Sequence, residues 1–399
     1  MRRALLLFAL AAAACSPEDF PTETLVDRLR MLGLTSTPAD LAPGETARLQ
    51  SLVIDPTRAG QPTTTFWIGC DPDPFNLNRS ACADPAVVNN PAMLGDMLSL
   101  PPGVKFIGLN SQAVYTAPKG LFDALEADDP RRITGTSGQV LTISIAEDVS
   151  PTASMEELRA VFVRVQNKEV KSLISLFRVR ISEDPERNTN PRVTQLSVDG
   201  EQWPTGARVM VKPAQKVRLD VDGPDEVFEP FTAQTPSGAE ARKERVLIAW
   251  YSTSGRFSEE RTALREGVKT KFTAPGGKAF DPVPERRTGT LWTVLRDTRG
   301  GLGWSEYPYF VCDDSLPAPV ISHVRPLTAR GDAFVLEGSN LGSVLDVLVG
   351  GVTVLRGRPD GPGTVWEGEL DRTVPSGQQP VVVHTRRCER LESEMLTVP

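Results

Sequence analysis

Few residues of this chain have the types and spacing that catalysis requires. The two histidines, His323 and His384, both fall in predicted strands, and a histidine on a strand of a small sandwich is more often structural than catalytic. No G-x-S-x-G, H-E-x-x-H, P-loop or dinucleotide fingerprint occurs. The neighbouring acids Glu259 and Glu260 would point to opposite faces of a strand, which is unfavourable for paired acid–base work. The sequence therefore predicts no catalytic residues, no cofactor and no enzymatic activity.

One loop has a spacing that could hold a cation. Asp71, Asp73, Asn76 and Asn78 bring four oxygen-bearing side chains close together, as calcium sites do. No glycine follows at the sharp-turn position and no glutamate stands where a bidentate ligand belongs. Two intervening prolines and a disulfide loop explain the pattern equally well, and no metal is predicted.

Trp304, Tyr307 and Tyr309 lie close together in the sequence. Aromatic side chains at this spacing can form a platform for a sugar ring, but they also commonly pack a last strand onto its neighbours. A glycan partner is therefore one of the alternatives that the sequence leaves open.

The first fifteen residues have the composition of an export signal. Arg2 and Arg3 give a positive start, Ala4–Ala14 is an unbroken apolar run, and Cys15 follows three small residues. As a helix this run would span roughly 16 Å, which is too short for a hydrocarbon core of about 30 Å. The stretch therefore predicts a secretory signal and not a transmembrane helix.

This stretch resembles the signal peptide and lipobox of bacterial lipoproteins. The resemblance implies cleavage after residues 1–14 and attachment of lipid to the sulfur and new amino group of Cys15, which would anchor the protein to a membrane. Ser16, and not Asp, follows the cysteine, which implies the outer membrane by analogy with enterobacterial lipoproteins. Residues 15–25 are then a polar tether with two prolines. Ordinary secretion with a chance cysteine is the alternative.

The other four cysteines are predicted to form two disulfides. With Cys15 lipidated, an even number remains for an oxidising compartment, namely Cys70, Cys82, Cys312 and Cys388. Three connectivities are possible. Cys70–Cys82 and Cys312–Cys388 are favoured, because each pair falls within one region of the chain. No C-x-x-C spacing occurs, which disfavours a zinc site.

Size and composition favour several β domains. The chain has 399 residues, enough for about two to four domains. Its formal net charge is −7 and no basic patch stands out, so nucleic acid is not an expected partner. The 34 prolines and 32 glycines are spread among short apolar runs, which favours an all-β fold with many turns.

The first of three predicted sandwich domains spans 26–190. Its order of strand, Pro-Gly turn, strand and strand with Trp67 resembles the opening of bacterial immunoglobulin-like modules. Residues 71–138 are predicted to form an insertion, with short helices at Asn90–Leu100 and Leu121–Leu125.

Further along the first domain, Ser154 and Glu157 fit a capping box for a brief helix. Ala160–Val165, with its alternating valines, is predicted to be a strand.

The second domain, 191–314, again has a tryptophan, Trp250, on its predicted third strand. In the third, 316–399, the stretches Pro319–Pro326, Gly338–Gly342 and Gly350-Gly351 resemble an IPT/TIG domain. The resemblance implies an immunoglobulin-like fold, so that the whole chain is all-β with three tandem immunoglobulin-like sandwiches.

The implied immunoglobulin-like fold also gives a reason for the Cys312–Cys388 disulfide. In an immunoglobulin-like sandwich, the loop between the last two strands lies at the end where the first strand starts. Cys388 falls in that loop and Cys312 just before the first strand. The resemblance thus implies that this pair locks the second domain against the third.

These observations predict an exported, lipid-anchored envelope protein without enzymatic activity that serves binding, adhesion or scaffolding. The alternatives are an accessory subunit of an envelope enzyme or secretion complex, and a carbohydrate-binding surface protein. The expected partners are the membrane, through lipid on Cys15, and a protein or glycan of the envelope.

Overall fold

The structure is a computed structural model. It describes residues 23–58, 61–73, 76–80, 100, 103–235, 238–276, 281–329 and 331–399. Within these residues strands predominate and α-helix is confined to two segments. The sheets follow one another along the chain as three sandwich-like units, called here the first (30–181), second (195–311) and third (320–398) unit. The predicted all-β class is confirmed.

The first unit contains ten strands and two helices among its described residues. These are β1 (Arg30–Thr37), β2 (Asp40–Leu41), β3 (Thr46–Ile54), β4 (Thr64–Cys70), β5 (Pro72–Asp73), β6 (Asn76–Ser80), β7 (Val104–Leu109), β8 (Val114–Thr116), α1 (Arg131–Thr134), β9 (Thr136–Ile145), α2 (Met155–Gln166) and β10 (Ser172–Ile181).

The central strand β4 of the first unit's five-stranded sheet is buried on both faces. Its order is β2-β10-β9-β4-β7, and a second sheet, β1-β3-β8, covers one face. Trp67 of β4 points into the core between these sheets, whereas Phe66 points the other way and meets Phe162 of α2, with ring centroids 4.8 Å apart. Burial from two sides explains why every residue of β4 is buried and why its sequence is not a simple polar–apolar alternation.

The predicted strand at Ala160–Val165 is wrong, because these residues belong to α2. Ser154 and Glu157 form the predicted capping box, and the helix continues to Gln166. Leu158, Val161, Phe162 and Val165 are buried. They follow the i, i+3, i+4, i+7 spacing of one helix face, and this face covers the sheet.

The predicted insertion at 71–138 contributes strands to the sandwich. Strand β7 pairs with β4, and β8 pairs with β3. Leu121–Leu125 forms turns and no helix, although Leu121 is buried in the core. The predicted helix at Asn90–Leu100 lies outside the described residues except for Leu100.

The second unit is a sandwich of two five-stranded sheets with a separate hairpin. Its strands are β11 (Gln195–Val198), β12 (Glu201–Gln202), β13 (Val209–Val211), β14 (Lys216–Asp222), β15 (Pro230–Thr235), β16 (Gly238–Lys243), β17 (Leu247–Ser252), β18 (Arg256–Phe257), β19 (Arg261–Ala263), β20 (Thr270–Thr273), β21 (Thr288–Arg296) and β22 (Leu302–Val311).

The sheets of the second unit are β12-β11-β14-β20-β18 and β13-β22-β21-β17-β19, and β15-β16 is the hairpin. Trp250 of β17 is buried between the two sheets, beside Phe257 and Phe272. Its indole Nε1 donates to Thr262 Oγ1 at 2.9 Å, so the one polar atom of this side chain is satisfied in the core.

The third unit has sheets β23-β24-β28-β27, β26-β25-β30-β31 and β29-β32. Its strands are β23 (Val320–Val324), β24 (Ala333–Ser339), β25 (Val344–Val349), β26 (Val352–Thr353), β27 (Leu355–Pro359), β28 (Val365–Glu369), β29 (Gly377–Gln379), β30 (Val381–Thr385), β31 (Arg390–Glu392) and β32 (Leu396–Val398). Gly350 and Gly351 both have positive φ, at 59° and 81°, and close the β25–β26 hairpin as their sequence predicts. The IPT/TIG assignment stays a prediction.

Candidate functional site at the seam between the first two units

The first and second units pack against each other through apolar faces. Leu32 and Leu52, on the outside of the β1-β3-β8 sheet, meet Trp292, Val294 and Leu302, on the outside of the second unit. We call this contact the inter-unit seam. The middle of β21 is therefore buried on both faces, one in the core of the second unit and one in the seam, and β22 contributes Leu302 to the seam and Tyr309 to the core.

The start of the described chain is fixed to the second unit. The Val26 N–H donates to the Ser252 carbonyl at 2.8 Å, and the Ser252 N–H donates to the Thr24 carbonyl at 3.0 Å. Val26 is fully buried in the inter-unit seam. The segment predicted to end a free tether at residue 25 is thus paired with the end of β17 before the chain enters the first unit.

A buried charge cluster lies beside the connection between the first two units. Arg299 is 7% exposed and its Nε donates to Glu244 Oε1 at 2.7 Å, with the Glu244 side chain 1% exposed. Glu229 also pairs with Arg299. Burial raises the pKa of Glu244 to about 7, even though the hydrogen bond from Arg299 acts in the other direction.

The connecting segment is tied to both units. The Asn188 N–H donates to Asp40 Oδ2 of the first unit at 3.1 Å. Its side-chain amide donates to Asp297 Oδ1 of the second unit at 3.4 Å, and burial raises the pKa of Asp297. Asp40 in turn is paired with Arg180 at 2.8 Å. These contacts hold the connection in one geometry.

A groove of about 480 Å³ opens at the edge of the inter-unit seam. We call it the seam groove. Trp304 of β22 and Val53 of β3 supply its apolar surface. Its remaining lining consists of neutral polar side chains from β3, the start of β4 and the turn after β7, namely Gln50, Ser51, Thr63, Thr65, Asn110 and Ser111.

Local backbone geometry fixes the polar wall of the seam groove. Asn110 has a φ of 48° and begins a 3-10 turn, a left-handed conformation that asparagine tolerates better than most residues. Its side-chain Oδ1 accepts from the Thr65 N–H at 2.8 Å. The Thr65 hydroxyl shares a hydrogen bond of 2.9 Å with Ser144, so the groove floor is connected to the first-unit core.

The three aromatics considered as an alternative sugar platform do not lie on one surface. Along β22, Trp304 faces the inter-unit seam, whereas Tyr309 is buried in the second-unit core and Tyr307 packs against it. Residues 304 and 309 differ by an odd number, so their side chains leave opposite faces of the strand. The three residues therefore form no common platform: Tyr307 and Tyr309 pack within the second unit, and only Trp304 of the three lines the groove. The sequence does not show the polar partners of Trp304, because they come from distant strands.

Asp71, the first acid of the loop whose spacing could hold a cation, has other partners. Asp71 Oδ2 pairs with Lys105 Nζ at 2.9 Å, and its Oδ1 accepts from the Tyr115 hydroxyl at 3.3 Å. In the described part of the chain, no three His, Cys, Asp or Glu residues are grouped to hold a metal ion.

The two histidines lie on strands of the third unit, as predicted. One is buried and the other is exposed. His384 is 3% exposed, and its ring centroid is 5.6 Å from that of Trp203. Burial lowers the pKa of His384. His323 is exposed, with Nδ1 3.7 Å from Glu394 Oε2. Among the described residues, no hydrogen bond joins either ring to a hydroxyl or thiol group.

The Cys312–Cys388 disulfide is confirmed, with Cα atoms 5.5 Å apart. It joins the end of the second unit to the third unit, beside Phe310 and Leu345. At the same contact, the Arg208 N–H donates to Asp346 Oδ2 at 2.9 Å. The third unit is therefore fixed to the second by covalent, apolar and polar contacts together.

Of the three other cysteines, only Cys70 lies within the described residues. Cys70 is disulfide-bonded, but Cys82, its predicted partner, lies outside the described residues, as does Cys15. Lipidation of Cys15 and the Cys70–Cys82 pairing stay predictions. In the described residues no helix is long and apolar enough to span a membrane.

No family model and no curated protein matches the sequence. Among solved structures, the chain is similar to "SGBP-B from a complex xyloglucan utilization locus in Bacteroides uniformis", at 13% identity and a TM-score of 0.19 over 52% of this chain. It spans about half of that protein, 49%.

Two other solved structures give similar values. An SGBP-B from Bacteroides ovatus, in complex with a mixed-linkage heptasaccharide, is 13% identical with a TM-score of 0.18, over 94% of this chain and 70% of that one. The E. coli chaperone DraB is 16% identical with a TM-score of 0.24, over 51% of this chain and 100% of its own. Since the TM-scores are this low, these likenesses support no conclusion about function.

Proposed function

We propose that this protein is an exported, lipid-anchored binding protein of the cell envelope that has no enzymatic activity of its own. The observation that carries the proposal is the rigid connection of its three units. The inter-unit seam joins the first two, and the Cys312–Cys388 disulfide with the Arg208–Asp346 contact joins the last two. Such a molecule presents its surfaces in a fixed arrangement, which suits binding or scaffolding.

The fixed position of Thr24 would give a lipid anchor on Cys15 a short reach. Thr24, which is hydrogen-bonded to the second unit, comes nine residues after Cys15. A fully extended chain covers at most about 3.3–3.6 Å per residue, so a lipidated Cys15 would keep the second unit within roughly 30 Å of the membrane surface. Two or more acyl chains make such attachment effectively stable.

The anchoring is tested by the variant Cys15→Ser, expressed in a bacterium with a lipoprotein export system. We expect the wild-type protein in the membrane fraction and the variant in the soluble exported fraction. Metabolic labelling with a radioactive fatty acid should mark only the wild type. If the variant remains membrane-bound after a high-salt wash, the anchoring proposal is wrong.

The binding role is tested separately by pull-down from solubilised envelope. Recovery of a saccharide or of several weakly held proteins supports a binding protein. One partner in fixed stoichiometry would favour an accessory subunit. Hydrolysis of an envelope polymer by the purified protein would contradict the non-enzymatic role.

A further inference from the structure

The seam groove differs in the charge of its lining from the larger cavity of the third unit. All of its lining residues are uncharged, in a chain of which 24% is charged. A larger cavity of about 710 Å³ in the third unit is lined by both signs of charge, including Arg358, Glu367 and Asp371. An ionic ligand would therefore find no counter-charge in the seam groove, and its desolvation would not be offset there.

Trp304 is held in place on one side and open on the other. A Cβ placed on Gly33 would lie 3.3 Å from its Cε3, so the indole ring packs closely on the β1 backbone. The ring is only partly buried and lines the groove. Its Nε1 has no protein acceptor among the described residues. The ring thus offers an apolar surface together with one unused donor.

The polar wall supplies hydrogen-bonding groups that the protein does not use. Within the described residues, the side chains of Gln50, Thr63 and Ser111 have no hydrogen-bond partner. Asn110 uses its Oδ1 on the Thr65 N–H, which orients its amide and leaves the NH₂ donors for a ligand. The groove therefore combines one aromatic surface with several neutral donors and acceptors.

We propose that the seam groove binds an uncharged saccharide. A sugar ring would lie on the Trp304 indole, and its hydroxyls would form hydrogen bonds with the side chains of Gln50, Asn110 and Ser111. A pyranose ring has an apolar face of C–H groups and a rim of neutral hydroxyls, which matches both parts of the groove. The volume of about 480 Å³ falls in the range of roughly 300–1,000 Å³ common for small-molecule sites. The inference rests on the proposed binding function and names its ligand class.

The test uses the purified, detergent-solubilised full-length protein. A glycan array with neutral and acidic oligosaccharides identifies a probe, and titration calorimetry then measures its affinity for each variant. We expect neutral oligosaccharides to bind and acidic ones to be rejected. Trp304→Ala should weaken binding by at least about tenfold, and Gln50→Ala or Ser111→Ala by about three- to tenfold each.

Matched controls separate loss of contact from loss of fold. Gln50 and Ser111 are exposed, and their side chains make no hydrogen bond to the described residues, so their truncation leaves the fold intact. Trp304→Phe keeps an aromatic ring on Gly33 and should retain part of the affinity. Gln112→Ala alters an exposed neighbour of Ser111 in the same turn that does not line the groove, and should bind as the wild type does.

The inference is overturned if no neutral glycan binds, if acidic glycans bind equally well, or if Trp304→Ala and Gln50→Ala both leave the affinity unchanged. Binding of a neutral peptide in the groove, without binding of any saccharide, would also overturn it. None of these results affects the fractionation of Cys15→Ser, so failure of this inference is distinguishable from failure of the proposed anchoring and export.

Discussion

At the scale of single residues, Glu244 occupies a position that favours its neutral form. Burial raises its pKa to about 7 from a reference of 4.5. The folded protein therefore binds this proton more tightly than the unfolded chain does. Its contribution to stability is fully present below about pH 4.5 and is lost as the pH rises through about 7.

Glu244→Gln should remove this pH dependence, because glutamine does not titrate and can still accept from Arg299. Between pH 4.5 and 7.5, the wild type should lose up to about 3 kcal/mol more of its free energy of unfolding than the variant. Urea unfolding at several pH values measures the difference. The exposed Glu201→Gln is the control, and equal slopes for wild type and Glu244→Gln would contradict the prediction.

At the scale of elements, α2 shows how packing decides whether a segment forms a strand or a helix. Alternating valines favour a strand at 160–165, but the helix places Phe162 against the sheet and leaves Val163 47% exposed. Phe162→Ala should cost about 3–5 kcal/mol of the free energy of unfolding. Val163→Ala should change it by less than about 0.5 kcal/mol, because it removes no buried contact and alanine favours helices.

The two α2 variants should be compared by urea unfolding, with circular dichroism showing that the fold is retained. In a strand, Val161, Val163 and Val165 would share one face, and Val163→Ala would then cost as much as Val161→Ala. That result would contradict the helical assignment.

At the scale of the whole molecule, the contacts between units turn three sandwiches into one body. The Cys312–Cys388 bond closes a separation of 76 residues that contains the third unit up to β30. Chain entropy predicts that it stabilises the fold by about 4.5 kcal/mol.

The double variant Cys312→Ala/Cys388→Ala should therefore exchange the amide hydrogens of Val347 and Val383 much faster than the wild type, as followed by mass spectrometry. Met395→Ala, at an exposed side chain of the same unit, should leave these rates unchanged. Equal protection in the double variant would show that the packing of Phe310 and Leu345 suffices.

Local patterns allowed much of the fold to be predicted. The alternation in 216–221 predicts β14 because one face of that strand is buried and the other solvated. The capping box at Ser154 and the Gly350-Gly351 hairpin depend on contacts within a few residues, so the sequence shows them directly. The Cys312–Cys388 pair followed from the even cysteine count and the implied sandwich topology.

The seam groove could not be predicted, since its walls come from strands far apart in the chain. Trp304 stood out by type, but its partners Gln50, Asn110 and Ser111 lie about 190 to 250 positions away in the sequence. A bulge in β1 between Met31 and Gly33 also turns Leu32 outward, toward the second unit. No short-range pattern shows which neighbour will cover such a side chain.

The sequence by itself determined the all-β class, most strand positions, one disulfide and the absence of recognisable catalytic motifs, because these depend on residue type and short periodicity. Only the tertiary structure decided that α2 is helical, that Thr24 to Val26 pairs with β17, and that Trp304 and Tyr309 face opposite ways. In a strand such as β21, apolar residues occupy both faces, and periodicity does not distinguish a face buried in its own core from one buried against a neighbouring unit. That choice is made by long-range packing, and it also creates the seam groove.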